Sequence, residues 1–145
     1  MATATKIRVS ASDIRNGRAA DCFRCAVARA LQRATGDDEA HVNEIDYLLR
    51  LHVWGRIFTA PQCVTDFIVA FDRHYERYDS GRVKLPRRLP EDVRPFSFTI
   101  PPLDDPEWEE QCYHCEELCD PKTLDDEGVC QECREGAKER EELLS

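Results

Sequence analysis

The chain has 145 residues, 41% of them hydrophobic and 34% charged, with a formal net charge of −9. That length suits one compact domain with an appendage, or two very small ones. No stretch approaches the ~20 apolar residues that span a bilayer, and the N-terminus lacks the apolar core of a secretory signal, so a cytoplasmic protein is expected.

In chain order, Lys6 to Ser10 alternates as a short strand with Ile7 and Val9 on one face. Ser10-Ala11-Ser12-Asp13 supplies capping hydroxyls and a carboxylate ahead of Ile14, and Asn16-Gly17 closes a turn. A helix is predicted from about Cys22 to Thr35. Its apolar stripe runs through Phe23, Ala26, Val27, Ala30, Leu31 and Ala34, with Arg24, Arg29 and Arg33 on the other side and Gly36 as the stop. Val42 to Phe58 is rich in β-branched and aromatic residues and predicts two strands around a Trp54-Gly55-Arg56 turn; Ile45 to Leu51 alone is also compatible with helix. Thr59-Ala60-Pro61-Gln62 has the form of a capping box and opens a helix striped by Val64, Phe67, Ile68, Phe71, Tyr75 and Tyr78. Arg82 to Arg94 is a loop with two prolines. Phe96, Phe98 and Ile100 then alternate as a half-buried strand.

This order predicts an α+β fold, with a small antiparallel sheet and two helices over residues 1–102. Residues 103–111 form an acidic linker, and 112–145 a separate Cys₄ module ending in a short helix. Charge divides along the same line. Residues 1–100 hold 16 Lys/Arg and 13 Asp/Glu, net +3, whereas 101–145 hold 4 and 16, net −12. Phosphate backbones are bound mainly by Lys and Arg, so the tail is a poor nucleic-acid ligand and any such contact falls to the first hundred residues.

The strongest chemical motif is Cys112-Tyr113-His114-Cys115, fourteen residues, then Cys130-Gln131-Glu132-Cys133. Two residues between cysteines let both thiolates converge on one ion, and two pairs complete a tetrahedral set. Eight cysteines in a cytoplasmic chain point to metal ligands or buried thiols more than to disulfides. One structural Zn²⁺ is therefore expected, with a redox or iron–sulfur role as the alternative. His114 and Cys119 are spare candidates for the ligand set. A module this small cannot bury enough apolar surface to fold by itself, so the metal would supply its folding free energy.

Three weaker signals remain. Cys22-Phe23-Arg24-Cys25 sits at a predicted helix start, where a thiol pKa can be lowered. It is a redox dithiol, half of a second metal site with Cys63 and a histidine, or a pair of structural thiols. Arg82, Lys84, Arg87 and Arg88 form a basic run able to touch nucleic acid, an acidic partner or the chain's own tail. His41, His52 and His74 are dispersed and have no evident triad partners.

Residues 6–35 and 59–100 resemble a family of small, uncharacterised proteins of tailed phages and actinobacteria. The matching residues are Ile7-x-Val9, Asp13-Ile14-x-x-Gly17, Cys25-Ala26-Val27-Ala28-x-Ala30, Val64-x-x-Phe67-Ile68-x-x-Phe71-Asp72 and Pro95-Phe96-x-Phe98. The family usually has proline where this chain has Ala26. The resemblance implies the α+β fold and a phage origin, hence the host cytoplasm, and carries no activity. Residues 112–133 are similar to zinc-ribbon and treble-clef modules. The expected function is that of a zinc-binding accessory protein acting through a protein partner. A nucleic-acid-binding regulator using the basic N-terminal part is the alternative, and an enzyme the third class.

Overall fold

A computed structural model describes residues 3–19, 21–75 and 88–144. The chain is α+β, as expected, with antiparallel sheets and four α-helices among the described residues. Strand β1 (Thr5–Val9) pairs with β5 (Phe96–Ile100), Ile7 opposite Phe98. Helix α1 (Ala11–Asn16) follows β1, then α2 (Ala26–Thr35). Strands β2 (His41–Ile45), β3 (Leu48–Val53) and β4 (Arg56–Thr59) form a second sheet, and α3 (Gln62–Tyr75) leads away from it. Two sheets therefore stand where one was expected. Ile7 and Val9 of β1, Val27 and Leu31 of α2, Leu51 and Val53 of β3, and Val64 and Phe71 of α3 meet in one core, each at most 1% exposed.

Local chemistry explains the boundaries. Ser10 caps α1 in a full capping box: its hydroxyl accepts from the Asp13 amide, and the Asp13 carboxylate accepts from the Ser10 amide. Asp13, 1% exposed, also takes two hydrogen bonds from the Arg33 guanidinium at 2.5 and 2.7 Å. Arg33 donates to the Arg8 carbonyl as well, so one side chain ties β1, α1 and α2 together. Gly17 permits the close approach of α1 to α2, because a Cβ there would lie 2.7 Å from the Ala26 nitrogen.

Helix α2 starts four residues later than its apolar spacing suggests. The Asp21 carboxylate collects the amides of Phe23 and Arg24 at 3.0 Å each, closing a turn before Cys25 caps the helix. Phe23 is consequently absent from the buried stripe and 49% exposed, and Ala34 is exposed too. The two expected strands over 42–58 are three. Asp46-Tyr47 and Trp54-Gly55 all have positive φ, which makes both connections two-residue hairpins, with Ile45 opposite Leu48 and Val53 opposite Arg56. Thr59 belongs to β4, where its hydroxyl accepts from Arg50, so it does not cap α3.

The 103–111 segment is packed against the body. Trp108 is fully buried in the main core, its ring 5.3 Å from that of Phe58 and its indole N–H donating to the Pro101 carbonyl at 3.1 Å. Glu109 then pairs with Ile57 of β4 through two backbone hydrogen bonds of 2.7 and 2.8 Å.

Trp108→Ala is expected to cost about 3–5 kcal/mol in chemical denaturation, the range for deleting a buried large aromatic. Burial by itself would raise the Asp13 pKa, but hydrogen bonds from Arg33 and Ser10 more than reverse this and hold it below the usual carboxylate value. The stabilisation is therefore complete above about pH 4, the unfolded value, and is lost as pH falls through the native one. Acid titration of stability should be less steep in Asp13→Asn than in wild type.

Candidate metal centre

Strand β6 (Glu110–Gln111) continues directly from the Glu109 bridge and pairs with β7 (Leu118–Cys119). The loop between them carries Cys112 and Cys115. Its turn is closed by the Glu116 amide donating to the Cys112 carbonyl at 3.0 Å, with Glu116 itself at φ +61°. After a short 3-10 turn (Pro121–Thr123), Asp125 organises the approach to the second pair. Its carboxylate accepts from the amides of Glu127 and Val129 at 3.0 and 2.9 Å, and Gly128 sits at φ +77°. Cys130 then immediately precedes helix α4 (Gln131–Leu144), and Cys133 lies in its first turn. The helix N-terminus favours negative charge on both sulfurs.

All four Sγ atoms lie within 4.8 Å of one another. The Cys112–Cys133 and Cys115–Cys130 sulfur separations are each 3.8 Å. A tetrahedron with metal–sulfur bonds of ~2.3 Å has edges of ~3.8 Å, so the four thiols are placed to hold one metal ion. Backbone amides already point at the sulfur of Cys112, from His114 at 3.4 Å and Cys130 at 3.3 Å. Such N–H groups spread the charge of a metal-bound thiolate, the supporting role usual around metal ligands.

The sulfurs cannot all carry a full negative charge at this spacing without a cation among them. Amides, first that of Cys115 and then that of Cys130, draw the Cys112 thiol down to about 6. Hydrogen bonding to Cys130, together with burial, pushes Cys133 up to about 12. A divalent ion resolves the conflict by displacing the remaining protons. The local hydrophobic cluster is only Cys112, Val129 and Cys130, with Cys119, Leu124 and Cys133 packed against it. That is too small a core to hold the module without the metal.

The other candidates fall outside the four-sulfur set. His114 is exposed. Cys119 is half-buried, its thiol donates to the Glu117 carbonyl at 3.5 Å, and burial raises its pKa to about 11. Among the described residues no second group of three or more metal-ligating side chains forms, so Cys22, Cys25 and Cys63 are not gathered with a histidine. Cys25 caps α2 through its sulfur, which accepts from the Ala28 amide at 3.4 Å. Burial pushes its pKa up to about 11, the opposite of the shift that activates a redox thiol. Arg82, Lys84 and Arg87 lie outside the described residues, and Arg88 is exposed. Asp125 went unnoticed as a support residue, although Asp-x-x-Gly ahead of a cysteine pair is a turn signal readable in the sequence.

Metal analysis of the purified protein should find one ion per chain, lost in Cys130→Ser. Protons compete with the metal for sulfur, so loading should release protons at neutral pH, and acidification from pH 8 to 5 should strip the ion. Compared with protein-family models, curated proteins and solved structures, the chain finds no significant match, and the metal chemistry rests on the sulfur geometry alone.

Proposed function

We infer that the chain is a zinc-binding accessory protein whose tail recognises a protein partner. Zinc is the metal that a closed set of four thiolates suits best, and four protein ligands leave no coordination position for a substrate or water. The centre is then a structural pin. It fastens the first turn of α4 to the β6–β7 hairpin, which Glu109 and Trp108 fasten to the body. The placement of the second ligand pair at a helix start is in keeping with the treble-clef likeness of residues 112–133.

The observation that carries the interaction role is what this pin displays. Tyr113 is 79% exposed and Leu143 85% exposed, on a tail of net charge −12 over residues 101–145. Exposed large apolar side chains on a charged, metal-rigidified scaffold suit contact with a basic protein surface. A phage-encoded protein acting on a host assembly accords with the family resemblance of the body.

The test is affinity capture from host extract with full-length protein, with Tyr113→Ala, and with a chain ending at Gln111. Truncation at that point keeps Trp108 in the core. A partner held by the full chain and lost from both variants supports the proposal. Equal capture by all three would remove the tail from the interaction.

A further inference from the structure

Far from the cysteines in sequence, a cleft of about 790 Å³ opens between α1, α2 and the loop joining them. Its walls carry Arg15 from α1, Arg18 and Arg24 from the loop, and Arg29 from α2, with Phe23 among them. Asp38 is the acidic residue on its lining. None of Arg18, Arg24 and Arg29 makes an ion pair among the described residues, and the Nε of Arg29 is buried without a hydrogen-bond partner. Guanidinium groups that lack a carboxylate partner and line one cleft repel one another unless an anion sits among them.

Hydrogen bonds among the described residues of the loop support this shape. Arg18 N–H donates to the Arg24 carbonyl at 2.9 Å, the Asp21 carboxylate fixes the Phe23 and Arg24 amides, and Gln32 donates to the Phe23 carbonyl at 2.8 Å. One face of the Phe23 ring stacks on His41 at 4.4 Å, and His41 stacks on His52 at 4.2 Å. That ladder backs Phe23, which is 49% exposed and also lines the cleft.

We propose that this cleft binds a nucleotide, its phosphate among the arginines and its base stacked on Phe23. Guanidinium forks match phosphate oxygens bidentately, and an aromatic face accepts any base by stacking. The volume lies within the range of small-ligand sites. The nucleotide is free or part of a single strand; the chemistry at the cleft is the same. The site is independent of the metal centre and of the tail's partner.

The test uses the full-length, metal-loaded protein at low salt, titrated with AMP, inorganic phosphate, a short oligothymidylate and an oligoglutamate peptide. A nucleotide ligand should bind at least about tenfold tighter than inorganic phosphate. Phe23→Ala and Arg24→Glu should each weaken it by about tenfold while leaving thermal unfolding unchanged. Oligothymidylate tighter than AMP assigns the site to a strand, and AMP equal or tighter assigns it to the free nucleotide. The proposal is overturned if neither binds below about 1 mM, if oligoglutamate binds as tightly, or if Arg24→Glu binds like wild type.

Discussion

The burial of Trp108 is the constraint on which the arrangement of this protein depends. A fully buried indole whose N–H is satisfied by the Pro101 carbonyl anchors an otherwise acidic, proline-containing segment to the main core. From that anchor the chain has one direction to take. Glu109 adds to the free edge of β4, and three residues later Cys112 begins the candidate metal centre. The apolar core of the body and the cysteine cluster are thus connected by backbone hydrogen bonds. Two salt bridges run beside them, Arg50 to Glu109 at 3.9 Å and Arg56 to Glu110 at 3.6 Å. The Arg56–Glu110 pair is half-exposed and adds little energy, whereas Arg50 is buried and meets Glu109 at the edge of the core.

The two halves are stabilised by different physics. The body relies on apolar burial from two sheets and two long helices, reinforced where Arg33 joins β1, α1 and α2 through Asp13. The tail has almost no core, and its order depends on four sulfurs, the amides that surround them and the turn built by Asp125. Its high negative charge would favour an extended chain. A metal ion held by the four thiols would concentrate enough free energy at one point to oppose that repulsion.

The same division separates the surfaces. The acidic tail exposes Tyr113 and Leu143, whereas four arginines of the body line the cleft at the α1–α2 loop. The loop's shape comes from Asp21, which diverts the chain from helix and turns Phe23 outward. The residue that delays the start of α2 is therefore also the one that shapes the cleft.

The four ligands were legible from the sequence because Cys-x-x-Cys spacing encodes a local geometry that needs no tertiary context. The strands β1 and β5, the helix α3 and the Gly36 stop were legible for the same reason: period and cap chemistry are local. The start of α2 was not, because Phe23 satisfies the helical stripe in sequence while Asp21 captures the amides in space. The Asp46-Tyr47 turn was hidden because tyrosine carries no signal for positive φ. Cys25 lay in a motif suggesting reactivity, and only burial showed it to be an inert cap. What the sequence determined alone was which residues could bind one ion and which faces were apolar. What the tertiary structure decided was that Trp108 is buried against Phe58 and that Phe23 leaves the core to line a cleft with four arginines, since burial depends on which elements pack together and not on local period.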